Sequence, residues 1–249
     1  MLDPIRRQLQ QRLESLRSAG IEYLPRTEGP PPGLSLNAPA ASDPSAARVE
    51  EDGTRRTELQ VLAGEVRQCK RCPELASTRT QTVFGVGPLD PDLCFIGEAP
   101  GADEDRQGEP FVGAAGQLLN RIIAAMGLTR EEVYICNTLR CRPPGNRVPK
   151  PEECANCREY LDRQLAIIRP KFICALGVPA SQSLLGLTLS MAKMRGQFYS
   201  YKGIPVICTY HPASLLPSRS PEKKKEVWDD MKMLLAKMGR PVPTSGKGS

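Results

Sequence analysis

The sequence contains one histidine, His211, among its 249 residues. A zinc hydrolase built on several imidazoles is therefore excluded, because such enzymes need more than one histidine ligand. A Ser–His or Cys–His nucleophilic pair is compatible with this count, but no nucleophile-elbow pattern accompanies the histidine. The chain also has no long apolar run and no secretory hydrophobic region, so we expect neither a membrane span nor export, and we predict a cytoplasmic protein.

Residues 1–56 differ from the rest of the chain. Apolar side chains recur there at helical spacing and predict a short amphipathic helix over Asp3–Arg17. The stretch Pro25–Asp52 contains six prolines and little that could form a core, which predicts a flexible linker. We expect a folded domain over residues 57–240, a disordered tail over 241–249 and a monomer whose N-terminal helix is available to a protein partner.

The positive charge belongs to the folded part. Residues 1–56 carry eight arginines and no lysine against eight acidic residues, so the formal net charge of +6 comes from residues 57–249. The cations of this part cluster in segments that we expect to be loops or helix ends, among them Arg142 and Arg147. Such clusters suit a nucleic-acid backbone, although a domain that is merely soluble can carry the same net charge.

Short apolar runs alternate with helical patterns from residue 57 onward. The predicted strands are Leu93–Ile96, Val133–Cys136, Phe172–Leu176 and Pro205–Thr209, with an edge-like strand at Gln197–Tyr201. The predicted helices cover Glu58–Val66, the segment after Ala114 with its apolar face from Leu118 to Met126, Pro151–Ile168, and Pro221 to about Met238. This order predicts a three-layer α/β/α sandwich with a mainly parallel central sheet of about four strands. Ligands of such folds bind beyond the carboxyl ends of the strands.

The segment Gly97–Gly113 follows the first predicted strand and is rich in glycine and proline. Glycines let backbone N–H groups approach a ligand, and the helix that begins at Ala114 has an N-terminus that favours anions. An ordinary strand-to-helix connection with solubilising acidic residues is the alternative. Phe111 and the acidic residues do not fit a simple phosphate cradle, so we expect a ligand of another kind.

Nine cysteines in a cytoplasmic chain indicate metal or cluster binding rather than disulfides. Cys69 and Cys72 form a C-x2-C pair, Cys141 and Cys157 offer a second pair, and Cys154 lies one helical turn before Cys157. Four thiolates suit zinc or an iron–sulfur cluster, and the spacing does not decide between them. The remaining cysteines lie in predicted strands, where we expect them to pack as small apolar side chains: Cys94, Cys136, Cys174 and Cys208.

Two polar residues follow predicted strands at the end where ligands bind. Asn137 follows one strand and, taken alone, fits a structural amide. His211 follows another at a point where Pro212 breaks the strand; a structural histidine is the alternative, but this position favours function.

Taken together, these motifs resemble the type-4 uracil-DNA glycosylases, which carry a [4Fe-4S] cluster on four cysteines. The motifs are Gly97-Glu98-Ala99-Pro100-Gly101, Gly108 to Gly113 with Phe111, Asn137 after its strand, and His211-Pro212-Ala213. The resemblance covers roughly Glu65 to Met238 and is specific because separate motifs occur in the family's order. It implies the uracil-DNA glycosylase fold and a monofunctional hydrolase that flips deoxyuridine out of single- or double-stranded DNA and releases uracil.

The resemblance also implies roles for particular residues. The cluster ligands are Cys69, Cys72, Cys141 and Cys157, with Cys154 an additional thiol nearby. The segment Glu98, Ala99 and Pro100 lies at the uracil and contributes backbone contacts. In addition, Phe111 stacks on the flipped base, Asn137 pairs with uracil N3–H and O4, and His211 donates to uracil O2 as negative charge develops there.

Ala99 departs from related glycosylase families, which have an aspartate there to orient water. Glu98 is the nearest carboxylate and our hypothesis for this task, Glu104 is a second candidate, and water held by the backbone is the alternative. Gly101 replaces a bulky residue that excludes thymine in other families, so the means of rejecting the 5-methyl group stays open.

The DNA contacts also depart from the family pattern. Ser214 and Pro217 stand where relatives often have an aromatic residue and an arginine, and Arg219 is a candidate phosphate contact in their place. Leu215 or Leu216 is expected to enter the space left by the flipped nucleotide. Relatives that form a covalent DNA adduct use a second histidine; since this chain has none, we expect turnover.

Two other classes of protein remain open from the sequence. One is a nucleic-acid-binding module without hydrolase activity, stabilised by zinc or by an iron–sulfur cluster. The other is an electron carrier, for which Asn137 and His211 would be coincidental. For a hydrolase we expect a structural cluster that joins the Cys69 loop to the segment from Cys141 to Cys157, with Arg142 and Arg147 on the DNA side, because hydrolysis moves no electrons.

Overall fold

The structure is a computed structural model that describes residues 44–216 and 221–243 and, before them, Glu14 alone. The chain divides into two units, residues 1–47 and residues 48–249. In the first unit the described residues are Glu14, which is helical, and the start of a helix at Pro44. The rest of the predicted N-terminal helix, Arg219 and residues 244–249 of the predicted tail lie outside the described residues.

A five-stranded sheet forms the centre of the second unit. Its strands are β1 Leu93–Gly97, β2 Tyr134–Asn137, β3 Phe172–Leu176, β4 Phe198–Tyr201 and β5 Ile204–Thr209. The order of the strands in the sheet is β2-β1-β3-β5-β4. Strands β2, β1, β3 and β5 are parallel, and the edge strand β4 runs antiparallel to β5. The mainly parallel sheet is therefore confirmed, and the edge-like segment of the sequence is its fifth strand. Parallel pairing places Gly97 beside Asn137, so the carboxyl ends of β1 and β2 meet.

Helices connect and cover the strands. They are α1 Pro44–Gln68, α2 Pro73–Thr78, α3 Ala102–Gln107, α4 Ala114–Ala125, α5 Pro151–Ile168, α6 Val178–Leu185, α7 Met191–Met194 and α8 Pro221–Lys237. Short 3-10 turns cover Arg130–Glu132, Pro144–Asn146 and Pro212–Leu215. Within the described part of the chain, none of the helices combines the length and apolar character needed to cross a membrane.

Helix α1 is longer than the sequence pattern indicates. We predicted a linker up to Asp52 and a helix from about Glu58, whereas the structure begins the helix at Pro44. Arg55 of this helix is buried and donates to the Asp90 carboxylate at 2.7 and 2.9 Å and to the carbonyl of Ile167 at 2.9 Å. These contacts attach the turn of α1 around Arg55 to the rest of the second unit, so the folded part begins before residue 57.

The core lies on both faces of the sheet. Phe95 of β1 packs with Leu119 of α4 in one apolar cluster, while its neighbour Ile96 packs with Leu161 of α5 in another. All five residues of β1 are buried, as expected for a parallel strand covered on both sides. The α/β/α layering is thereby confirmed, and the strand cysteines are fully buried as predicted: Cys94, Cys136, Cys174 and Cys208.

Candidate active site

A cavity of about 440 Å³ lies at the carboxyl edge of the sheet. It collects residues that follow β1, β2 and β5, which parallel strands bring to the same edge. Every residue that the sequence analysis placed at the base lines this cavity: Glu98, Ala99, Pro100, Phe111, Asn137 and His211. Side chains more than a hundred positions apart in the sequence therefore meet at one site.

Gly97, the last residue of β1, is required for this assembly. A Cβ atom at Gly97 would lie 2.4 Å from Asn137 Oδ1 and 2.6 Å from Phe111 Cζ, closer than nonbonded atoms tolerate. Gly116 on α4 has the same role for the main chain, because a Cβ there would lie 1.8 Å from the Phe111 carbonyl oxygen. The glycines thus let the phenyl ring and the amide occupy the edge of the sheet together.

Phe111 is held in an unusual backbone conformation. Its φ angle is +54°, in the left-handed region that bulky residues rarely adopt. Arg130 supports this turn by donating to the carbonyl oxygens of Pro110 at 2.6 Å and Phe111 at 3.4 Å. Backbone strain at a ligand site persists only when the surroundings fix it, and these contacts supply that constraint. They position the Phe111 ring on the wall of the cavity.

The His211 side chain has a defined tautomer. Its Nδ1 accepts a hydrogen bond from the backbone N–H of Ala213 at 3.1 Å, so the proton of the neutral ring resides on Nε2. Burial lowers the pKa of His211 to about 4, against the opposing effect of the Glu104 charge. At neutral pH the imidazole is therefore uncharged, and its Nε2–H is a hydrogen-bond donor.

Asn137 is fixed through its main chain and is only 2% exposed. The buried guanidinium of Arg140 donates to its carbonyl oxygen. The next residue, Thr138, donates its backbone N–H to the Gly97 carbonyl at 2.8 Å. Within the described ranges the Asn137 side-chain amide has no hydrogen-bond partner, so its donor and acceptor are both available to a ligand in the cavity.

Glu98 lines both the cavity of about 440 Å³, called the base cavity below, and a second cavity of about 670 Å³. Its backbone carbonyl accepts from Thr138 Oγ1 at 2.7 Å and from the Leu139 N–H at 3.0 Å, which fixes the main chain. Burial raises the pKa of the Glu98 carboxyl, and in the described part of the molecule this carboxyl makes no hydrogen bond or ion pair. A partly buried carboxylate without a partner is suited to bind a water molecule.

Glu104 joins the two ends of the Gly97–Gly113 loop. Its Oε1 accepts from the backbone N–H groups of Val112 and Gly113, both at 2.9 Å, and its Oε2 accepts from that of Gly101 at 3.1 Å. Both carboxylate oxygens are therefore engaged, so the structure does not support Glu104 as the residue that activates water. The sequence analysis missed this structural role, although a glutamate at the third position of a helix is a known capping pattern.

The cysteines predicted as ligands gather at one apolar cluster beside α1 and α5. Cys141 and Cys157 are buried in it, and Cys69 and Cys72 are partly exposed against it. No group of three or more His, Cys, Asp or Glu side chains within residues 44–216 and 221–243 has a geometry that could hold a metal ion. Cys154 is not part of this apolar cluster and lines the second cavity.

The leucines predicted to enter the DNA have different surroundings. Leu215 is only 3% exposed and belongs to the core cluster that includes Leu119 and Ile123 of α4. The 3-10 turn directs Leu215 into the core, so of the two alternatives the structure favours Leu216 as the inserting residue. Leu216 is partly exposed at the end of a described segment and keeps this predicted role.

The two arginines predicted to contact DNA also differ. The Nε of Arg142 donates a hydrogen bond to Asn146 Oδ1 at 2.7 Å. Its two Nη atoms have no hydrogen-bond partner among the residues described. Arg147 donates to Glu153 at 2.6 and 2.9 Å and to Glu74 at 3.1 Å. Its charge is thus largely compensated, and Arg142 is the better placed to bind a phosphate.

Comparison with known proteins points to one family. Residues 84–232 match the model described as the uracil DNA glycosylase superfamily. The type-4 uracil-DNA glycosylase of Archaeoglobus fulgidus is 43% identical over 194 residues, which is 75% of this chain and 96% of that protein. That of Thermotoga maritima is also 43% identical, over 72% of this chain and 93% of its own length. A type-5 uracil-DNA glycosylase of Pyrobaculum aerophilum is 31% identical, over 59% of this chain and 79% of its own length. The chain belongs to the type-4 uracil-DNA glycosylases.

Proposed function

We propose that the protein hydrolyses the N-glycosidic bond of deoxyuridine in DNA, releasing uracil and leaving an abasic site for repair. The observation that carries this proposal is the cavity in which Phe111, Asn137 and His211 meet. A base can reach such a cavity only after rotating out of the double helix or from a single strand. The cavity then offers an aromatic surface, an amide and a hydrogen-bond donor.

Base recognition is assigned to Phe111 and Asn137. Stacking of the flipped ring on Phe111 is worth about 1–3 kcal/mol, as for bases in single-strand binders. The Asn137 amide accepts from uracil N3–H and donates to O4, whereas cytosine presents an acceptor and a donor at the same positions. Cytosine would therefore leave buried polar groups unpaired, which costs about 1–3 kcal/mol for each group.

Departure of the base is assigned to His211. As the glycosidic bond breaks, its electron pair moves to the uracil ring, and negative charge develops on O2. The neutral imidazole donates its Nε2–H to this oxygen, because Nδ1 is already an acceptor. A positioned donor of this kind lowers the barrier by about 2.7–4 kcal/mol in enzymes that stabilise oxyanions.

Activation of the water that attacks C1′ of the sugar is assigned to Glu98. Its carboxylate lies at the cavity and has no partner in the described segments. As a base it takes one proton from the water as the new C–O bond forms, and the uracil anion is protonated after it leaves. Ala99 cannot perform this task, because its side chain has no polar atom.

We also propose that Cys69, Cys72, Cys141 and Cys157 hold a [4Fe-4S] cluster. The donors fit in their chemistry and neighbourhood, because four thiols meet one apolar cluster and a cationic donor, Arg79, lies 3.0 Å from Cys141 Sγ. Their side chains do not have metal-binding geometry in the described structure, so binding would require them to turn toward one another. When bound, such a cluster would join the Cys69 loop to the segment from Cys141 to Cys157. It supplies no step of the hydrolysis, since no electrons are transferred.

The buried charge of Arg140 is a second argument for an anionic group beside the four cysteines. Arg140 precedes Cys141, is 1% exposed, and its Nε has no hydrogen-bond partner in the described part. No carboxylate of the described residues pairs with it. Burial raises the pKa of Cys157 while the Arg140 charge acts against that change. A buried cation is costly unless an anion compensates it, and a cluster with four thiolates carries net negative charge.

The remaining assignments concern DNA and the cell. Leu216 is proposed to enter the space left by the base, and Arg142 and Arg219 to bind phosphates. A monomer is sufficient, because every residue assigned to the reaction comes from one chain. A cytoplasmic location is consistent with the need of cluster ligands for reduced thiols. A partner for the N-terminal helix is proposed from its predicted amphipathic face alone.

The proposal is tested with the full-length protein and an oligonucleotide that contains one uracil. We expect alkali treatment to cut the strand at the uracil after incubation, and to leave matched strands with thymine or cytosine intact. The control variant is Glu131→Gln, which removes an exposed acid that does not line the cavity. Binding of an intact strand by protein with a full complement of iron would instead identify a binding module.

A further inference from the structure

Arg79 bridges the two segments that supply the four cysteines. It follows α2, and its Nη1 donates to Cys141 Sγ at 3.0 Å. Its Nη2 donates to the backbone carbonyls of Cys69 at 2.8 Å and Arg67 at 3.2 Å. In the described part of the chain no carboxylate pairs with this guanidinium. Its hydrogen bonds therefore go to the cysteine segments themselves.

The two residues after Arg79 contact the loop that receives the base. The backbone N–H of Thr80 donates to both carboxylate oxygens of Asp105, each at 3.0 Å, and Asp105 is a buried residue of α3. The Gln81 side chain donates to the carbonyl of Arg106 at 2.9 Å. A Cβ at Gly108 would lie 2.6 Å from Gln81 Oε1, so the amide packs directly against the end of α3.

Helix α3 is in turn attached to the base cavity through Glu104. Glu104 accepts the N–H groups of Val112 and Gly113, the residues that follow Phe111. Consecutive residues Arg79, Thr80 and Gln81 thus contact the cysteine site at one end and the helix that orients the Phe111 turn at the other.

We propose that Arg79 is a positioning residue that holds Cys141 against the Cys69 loop, and that Thr80 and Gln81 align the base-binding loop with that site. The first half of this inference rests on the proposed cluster. The second half concerns contacts between protein groups alone and does not need the cluster. The two halves can therefore be tested separately.

The test uses full-length protein with Arg79→Gln, Arg79→Lys and, as a matched control, Arg56→Gln at an exposed position of α1. Transfer of iron to a chelator is followed by the visible absorbance of the cluster. We expect Arg79→Gln to lose iron about tenfold faster, the effect of removing one hydrogen bond to a charged group. Arg79→Lys should be intermediate, because an ammonium keeps the charge but cannot bridge both segments. The visible spectrum should shift only in the Arg79 variants.

Hydrogen exchange of residues 101–108 tests the second half of the inference, that Thr80 and Gln81 align the base-binding loop. We expect Arg79→Gln to lower their protection about tenfold while the sheet strands keep theirs. Asp105→Asn keeps the side-chain size but weakens the bond to Thr80, so it should lower protection of the same residues without faster loss of iron.

The outcomes distinguish this inference from the cofactor proposal. If the unmodified protein prepared without oxygen binds no iron, the cofactor proposal is wrong, and the exchange measurements still decide the second half. An unchanged rate of iron loss in Arg79→Gln overturns the first half. Unchanged hydrogen exchange of residues 101–108 in Arg79→Gln and Asp105→Asn overturns the second half. An equal loss of protection throughout the sheet would also overturn it, because Arg79 would then contribute only general stability.

Discussion

The ring of Phe111 lies against the imidazole of His211, with centroids 5.6 Å apart and planes inclined by 31°. One residue comes from the loop after β1 and the other follows β5, so the contact joins the two sides of the base cavity. It gives the cavity an aromatic surface next to a hydrogen-bond donor. The two residues are therefore expected to affect different kinetic parameters.

Substitution of Phe111 should weaken substrate binding more than the chemical step. Phe111→Leu keeps an apolar side chain for the core but removes the stacking surface. We expect the KM for a uracil-containing strand to rise about tenfold, corresponding to stacking of about 1–3 kcal/mol. Steady-state kinetics measure this change. A larger fall in kcat than rise in KM would contradict the stacking assignment.

Substitution of His211 should lower the rate of the chemical step. His211→Leu removes the Nε2–H donor, whereas His211→Gln would keep an amide N–H in its place. For His211→Leu we expect single-turnover cleavage to slow about 10²–10³-fold with little change in DNA affinity. Because the folded-state pKa is about 4, the imidazole stays neutral from pH 5 to 8 and contributes no inflection near its ordinary pKa of 6.5. An inflection near 6.5 that disappears in His211→Gln would contradict a neutral donor.

The same histidine makes stability depend on pH. The unfolded chain binds a proton near pH 6.5, whereas the folded chain binds it only near pH 4, since burial lowers the pKa. Between these values the unfolded state holds more protons, so stability falls as pH decreases through this window. Chemical unfolding at several pH values should show a shallower slope for His211→Gln than for the unmodified protein.

Substitutions of Glu98 and Glu104 should separate the effects on catalysis from those on stability. Glu98→Gln removes the unpartnered carboxylate, and we expect kcat to fall about 10²-fold with unchanged thermal stability. Glu104→Gln weakens the acceptor of three backbone N–H groups, so we expect a loss of about 1–3 kcal/mol in the free energy of unfolding. Unchanged single-turnover cleavage in Glu98→Gln would instead favour water held by the backbone.

Cysteine substitutions test the ligand set directly. Cys157→Ser should lower the iron content and the visible absorbance, because it removes a thiolate from the proposed cluster. Cys154→Ser is the matched control one helical turn away, and it should keep both. Iron analysis of the purified proteins measures the difference. Equal iron loss in both variants would assign Cys154 to the site as well.

The sheet could be predicted closely because its strands are short runs of buried apolar residues between polar segments. Leu93–Ile96 and Phe172–Leu176 agree with β1 and β3 to within a residue. Helix α3 was missed because its six residues are mostly charged and lie between glycines, which is also the pattern of a loop. Its helical form depends on Glu104 and on contacts with a distant segment, and these are not visible in local sequence.

The cavity residues could be placed because strand ends in a parallel sheet share one edge. The sequence could not distinguish Leu215 from Leu216, since the 3-10 turn alone decides which of them enters the core. It also gave no indication that Arg147 is paired with Glu153 and Glu74. The roles of Arg79 and Arg140 depend on contacts across the fold, and local patterns carry no signal for them.

The most direct test is the release of free uracil under single-turnover conditions, measured for the unmodified protein and for Asn137→Ala. The unmodified protein should release one uracil for each uracil in the DNA and no cytosine. Asn137→Ala should release uracil about 10²-fold more slowly, because both edge contacts are lost. Absence of free uracil with the unmodified protein, or an unchanged rate with Asn137→Ala, would contradict the proposed reaction at this cavity.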